Sequence, residues 1–267
     1  MNSLVDPIAL ARNRARATDM FLQSLAADEL QDRLGMVNKE FSAPAIVTPF
    51  PNVWSDRIPN ATVVPAQDVL TLERSTHDLV IHSLDLHWAN DPVGQLIQCK
   101  RALQPDGLLL VAALGGQTLS ELRTSLAEAE TRVTSGLSAR VAPMAEIRDL
   151  GALLQRAGLA LPVADSVVQN VEYEDLTGVM QDLRRMGETN ALSARLRVPT
   201  KRAVFDTAAQ IYAQHFSAQS GKVCATYEFV ILTGWAPDDS QPQPLRPGSA
   251  TQRLADALGA QEKKIRN

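Results

Sequence analysis

Residues 78–116 read DLVIHSLDLHWANDPVGQLIQCKRALQPDGLLLVAALGG. Leu79 to Leu84 and Leu108 to Ala113 are short apolar runs, the pattern of strands buried on both faces of a parallel sheet. Between them Asp91 is placed to cap a helix that opens at Pro92 and carries Val93, Leu96, Ile97 and Leu103 at helical spacing. Pro105, Asp106 and Gly107 then supply a turn back into the sheet. The stretch is one βαβ unit. Its right-handed crossover puts the loop from Ser83 to Asn90 at the carboxyl edge of the strands, where open α/β sheets bind ligands.

Outward from this unit the pattern continues. Residues 7–34 hold Ile8, Leu10, Phe21, Leu22, Leu25, Leu30 and Leu34 at helical spacing and predict two helices packed on the sheet. Thr118 and Glu121 have the spacing of a capping box for a helix with Leu119, Leu122 and Leu126. Ala145 to Ala157 predicts a helix stopped by Gly158, Leu161 to Tyr173 a strand, and Asp175 the start of a helix closed by Gly187. Thr200 is placed to cap a longer helix through Val204, Ala208, Ile211 and Tyr212. The alternation from Thr226 to Trp235 predicts the longest strand, paired antiparallel inside the sheet. Beyond Ala236 the chain turns Pro-, Gln- and Ser-rich, with a short helical pattern at Leu254 to Leu258, and reads as a mobile tail. The expected organisation is N-terminal helices over 1–40, an α/β domain over 41–236 and a tail over 237–267.

The apolar strand leading into LHWAND, the helix and LQPDGLLLVA resemble the fourth and fifth strands of class I S-adenosylmethionine-dependent methyltransferases. GGQTLSELRTSL at 115–126, DLGALLQRAGL at 149–159, DLRRMGETN at 182–190, ATYEFVILTGW at 225–235 and PGSA at 247–250 narrow this to one subfamily. It is that of the methyltransferase-fold complex I assembly factor, implicated in arginine hydroxylation, with its alphaproteobacterial relatives; the malonyl-carrier methyltransferase of biotin synthesis is more distant. The resemblance implies a Rossmann-like sheet, S-adenosylmethionine as cofactor and a respiratory-chain subunit as protein partner. Separately from the resemblance, the N-terminus lacks a continuous apolar signal core, so the expected place is the cytoplasm, with a peripheral position at the inner membrane as the alternative.

One departure from that family decides the functional reading. No glycine occurs from Met36 to Val93. The family's first strand ends in a glycine-rich loop because the backbone must approach the cofactor closely and turn into a helix, which a Cβ obstructs. Here the strand at Ala45 to Thr48 is followed by Pro49, Phe50, Pro51, Asn52, Val53 and Trp54. Two prolines remove two donors, and Phe50 and Trp54 are expected to fill the cofactor's place. Only about a dozen residues lead to the next strand at Ala61, little more than one parallel crossover needs. The family fits a helix, a strand and a second helix there, so the sheet is expected to be truncated around the first helix and second strand. Val63 and Val64 are followed by Pro65, Ala66 and Gln67, with Asp68 displaced from the family's acidic position.

The remaining candidates each carry two readings. Ser83, Leu84 and His87 form the surviving remnant of the cofactor loop. His87 has the chemistry of a base, yet with Trp88 it also reads as an aromatic pair shaping the sheet edge. Asp85 and Asp91 suit a cationic ligand, while Asp91 equally suits a helix cap. Gly115, Gly116 and Thr118 admit a substrate backbone or make a tight turn. Glu188 and Asn190, in the GETN block, read as a helix C-cap followed by a loop, while the resemblance, for which this block is characteristic, implies a substrate or partner pocket. Composition closes other routes. The net charge of −4 leaves no basic face for nucleic acid, and the two cysteines lack metal or disulfide spacing. No apolar run is long enough to span a bilayer. The reading is a protein with a degenerate cofactor site acting by protein binding, or alternatively a working methyltransferase or arginine hydroxylase with a remodelled pocket.

Overall fold

The structure, a computed structural model, describes residues 3–242 and Gly259. The chain divides into two compact units, Met1–Pro237 and Asp238–Asn267. The tail's expected helical pattern at 254–258 lies outside the described residues.

The first unit is built on a sheet of β1 (Pro44–Thr48), β2 (Thr62–Pro65), β3 (His77–Ser83), β4 (Leu103–Leu114), β5 (Ala160–Tyr173) and β6 (Val223–Trp235). Their order is β2-β1-β3-β4-β6-β5. The first four run parallel, and β6 inserts antiparallel between β4 and β5. β5, at 14 residues, is one longer than β6, which the alternating pattern had marked as the longest. The α/β expectation holds, including the truncation: residues 49–61 contribute only a 3-10 turn at Pro51–Trp54 before β2 pairs directly with β1.

Interior strands alternate between two cores, because successive residues of a strand face opposite sides. Ile46, Leu79, Ile81, Leu108 and Leu110 face one side, covered by α2 (Phe21–Gly35), α4 (Ser120–Thr134), α6 (Leu176–Arg185) and α7 (Arg202–His215). Ala45, Val47, Val80, Leu109 and Val111 face the other, under α3 (Pro92–Ala102) and α5 (Ile147–Arg156). Asp91 accepts from the Gly94 N–H and Asp175 from the Gly178 N–H, so both expected caps form. The Pro-Asp-Gly turn is absorbed into β4 as a bulge. Register jumps there from His77 opposite Leu103 to Leu79 opposite Leu108, with Asp106 at φ 56°.

Two caps differ from expectation. Thr118 exchanges hydrogen bonds with the Glu228 backbone, and Glu121 accepts from Thr226, so β6 claims both would-be capping side chains of α4. Thr200 likewise accepts from Arg140 Nη1 at 3.0 Å, and α7 starts without a side-chain cap.

Candidate functional site

The carboxyl ends of β1, β2 and β3 open onto a cavity of about 590 Å³. Its walls come from Pro49 and Phe50 after β1, Pro65 to Asp68 after β2, and Asp85 with Trp88 to Asn90 after β3. The remaining wall is α1 (Pro7–Arg14), through Leu10, Ala11 and Arg14. Asn90 fixes that wall: its side chain accepts from the Val5 N–H at 2.9 Å and donates to the Val5 carbonyl at 3.2 Å. Asp6 caps α1 and pairs with Arg195. These contacts, the Ala9 N–H first and then Arg195, outweigh its partial desolvation and hold the Asp6 carboxyl down to about 2.

The polar groups around this cavity are largely committed to one another. Arg14 reaches in from α1, partly buried, and pairs with the buried Asp85. His82 is fully buried and bonds Gln95 through Nε2 at 2.6 Å; burial lowers its pKa and favours the neutral ring. Gln95 in turn donates to the Gln67 carbonyl at 3.1 Å. In the loop leaving β1, Pro49 and Pro51 have no N–H, and the Phe50 N–H donates to Thr48 Oγ1 at 3.1 Å. Phe50 lines the cavity, but Trp54 does not fill it as expected: its indole packs into the core on the α2 side, 1% exposed. The apolar pull of that core outcompetes the edge of the sheet.

A smaller cavity of about 230 Å³ lies beyond Trp88, which lines both. Leu122, Leu126, Met144, Met180, Leu183 and Phe205 make it apolar, and Glu188, Thr189 and Asn190 give it a polar end. Glu188 is buried, with Oε2 accepting from Trp88 Nε1 and lying 3.7 Å from His87 Nε2. Its Oε1 has no partner. Burial pushes the Glu188 carboxyl up, but His87, the Arg14 charge and the Trp88 bond together outweigh it and hold the group below the usual carboxylate range. The cavity therefore ends at a buried carboxylate, one oxygen of which has no hydrogen-bond partner.

Trp88, Glu188 and Asn190 thus meet at one site, with Asn190 fixed by bonds to the Ala139 carbonyl and the Leu192 N–H. Ser83, Leu84 and His87 are buried beneath the sheet edge and line neither cavity; Asp85 and Trp88 to Asn90 form the wall instead. Asp91 stands on the surface as the α3 cap. Gly115 and Gly116 lie against carboxylates: an added Cβ would come 2.6 Å from Glu228 Oε2 and 2.3 Å from Glu146 Oε1. Thr118 is fully buried between them and β6. Arg14 is not among the residues that the sequence singled out. Leu10 four residues earlier on the same face was the available signal. Among the described residues, no group of three or more His, Cys, Asp or Glu is arranged to hold a metal. Cys99 is buried, which pushes its thiol up to about 12.

Comparison with known proteins follows the same lines. The crystal structure of a protein from Bacillus halodurans described as a methyltransferase superposes with a TM-score of 0.50 at 11% identity, covering 79% of this chain and 99% of that one. The mitochondrial arginine-hydroxylase NDUFAF5 of Danio rerio is 38% identical over 199 residues, 74% of this chain and 62% of the relative. The chain has the class I methyltransferase fold and is a homologue of the NDUFAF5 arginine hydroxylases. A malonyl-[acyl-carrier protein] O-methyltransferase of Methylovorus is 34% identical over 169 residues, 63% of this chain and 54% of that protein. The chain therefore spans less than two thirds of the length of these relatives. No protein-family model matches it. No helix among the described residues is long and apolar enough to cross a membrane.

Proposed function

We propose that this chain is a methyltransferase-fold protein whose S-adenosylmethionine site has degenerated, and that it acts by binding a protein partner, as an assembly or maturation factor of the respiratory complex I type. The loop leaving β1 is the observation that carries this reading. In place of a glycine loop with free N–H groups it has two prolines, one N–H spent on Thr48 and the Phe50 ring in the cavity wall. The other ends of the cofactor fare no better. β2 ends in Pro65, with Asp68 three residues on and exposed. Asp85, placed to meet a cationic ligand, is already neutralised by Arg14. These residues do not fit S-adenosylmethionine. The partner class comes from the homology to NDUFAF5 and from the resemblance to the assembly-factor subfamily.

A second reading, a working methyltransferase or protein-arginine hydroxylase with a remodelled pocket, is favoured by the cavity itself. At about 590 Å³ it remains open at the sheet edge and within the range of small-molecule sites. Crosslinked capture of the chain from cells, followed by incubation of the captured complex with methyl-labelled S-adenosylmethionine, separates the two. The assembly reading expects respiratory-chain subunits retained without label. Label transfer, or a hydroxylated arginine that depends on added S-adenosylmethionine, supports the enzyme.

A further inference from the structure

The segment after α1 and the end of α6 meet in an open cleft of about 520 Å³, lined by Asn13, Arg16, Thr18, Arg184, Arg185 and Thr189. No acidic residue lines it. Among the described residues none of its three arginines is in an ion pair, while Arg14, Arg57, Arg140 and Arg195 are each held by a carboxylate. This concentration of unpaired guanidinium groups occurs in a chain with more acids than bases, 30 against 26. The carbonyl ends of α6 account for Arg184 and Arg185 at its last turn. They do not account for Arg16, which faces the same cleft from another element.

The cleft is preformed. Thr18 and Asp19 both donate their N–H groups to the Arg185 carbonyl, at 2.7 and 3.1 Å, and Asn13 Nδ2 donates to the Thr189 carbonyl at 3.1 Å. Gly187, at φ 76°, lets the two backbones touch: a Cβ there would lie 3.0 Å from Arg14 Cα and 3.2 Å from Ala17 Cβ. The arginines are therefore presented from a fixed base, which lowers the ordering cost of binding.

We propose, resting on the protein-binding reading above, that this cleft docks an acidic segment of the partner, its Asp and Glu carboxylates taking the forks of Arg16, Arg184 and Arg185. Guanidinium groups recognise carboxylates through paired N–H donors. The three arginines are exposed and the cleft is open, so a single small anion would be held only in screened, solvent-facing contact. A segment carrying several carboxylates engages all three at once and excludes water as it does so. Arg184 and Thr189 also line the apolar cavity that ends at Glu188, so the docked segment crosses its mouth.

The test is fluorescence anisotropy of a labelled hexaglutamate peptide, with hexaglutamine as the neutral probe, against the whole chain. The comparison includes the double variant Arg16→Glu, Arg185→Glu and the control Arg202→Glu, whose side chain is 93% exposed at the start of α7. Circular dichroism establishes that each variant is folded. The expected result is binding of hexaglutamate alone, weakening as salt rises, at least about tenfold weaker in the double variant and unchanged in the control. Equal loss in the control, no loss in the double variant, or full displacement by equimolar inorganic phosphate would overturn the proposal. Tighter, arginine-dependent binding to phosphatidylglycerol vesicles would also overturn it, in favour of a membrane contact. Titration of the same proteins with S-adenosylmethionine keeps the two ideas apart. Cofactor binding removes the degenerate-site reading and leaves the docking result standing, while failure of the peptide alone removes only the docking proposal.

Discussion

Glu130 on α4 accepts from Arg140 Nε and Nη2 at 2.9 and 2.7 Å and from the N–H and hydroxyl of Ser138. These bonds, Arg140's foremost, outweigh desolvation and hold its carboxyl down to about 2. The folded value lies below the unfolded one of about 4.3, so the unfolded chain takes up the proton first as pH falls. The stabilisation is complete above about pH 4.3 and disappears as pH falls toward about 2. Thermal melts from about pH 6 to about pH 2 should therefore fall more steeply for the natural protein than for Glu130→Gln; parallel curves would remove the ion pair from the account. Trp88 makes a second single-residue test. Trp88→Phe keeps the ring and leaves Glu188 without its Nε1 donor, so urea unfolding should show a loss of about 1–3 kcal/mol. The sequence put Trp88 in the loop at the sheet edge and Glu188 in the GETN block, each as a pocket candidate on its own. That they bond to each other, 100 residues apart, was not legible, because nothing local connects them.

At the scale of the element, Gly187 joins the end of α6 to the segment after α1. Gly187→Ala meets both a left-handed backbone, costing about 1–2 kcal/mol, and a clash with Arg14 and Ala17. Gly221, at φ 83° with nothing within 4 Å of an added Cβ, carries only the first of these. Chemical denaturation should place Gly187→Ala clearly below Gly221→Ala; equal losses would mean that the packing of α1 on α6 contributes nothing. Helix starts were legible where the cap is local, as at Asp91 and Asp175. At Thr118, Glu121 and Thr200 the same residue types are taken by β6 and Arg140, partners that local spacing cannot reveal. Trp54 shows the same limit. Its position after β1 suggested the cavity, yet the larger gain is burial against α2.

For the molecule as a whole, β1, β3 and β4 were legible because they are buried on both faces and their apolar runs are continuous. The truncation was legible because a dozen residues cannot hold what the family places there. The shape of the site was not, because its walls come from α1, held over the sheet edge by Asn90 across 85 residues. The Arg14–Asp85 pair that neutralises the cavity has the same non-local origin. On the function proposed above, this arrangement together with the proline loop leaves no site for S-adenosylmethionine. Isothermal titration of the purified chain with S-adenosylmethionine, and in parallel with S-adenosylhomocysteine, tests this most directly. The account predicts no binding heat up to about 1 mM of either ligand, whereas a dissociation constant of about 1–10 μM would contradict it.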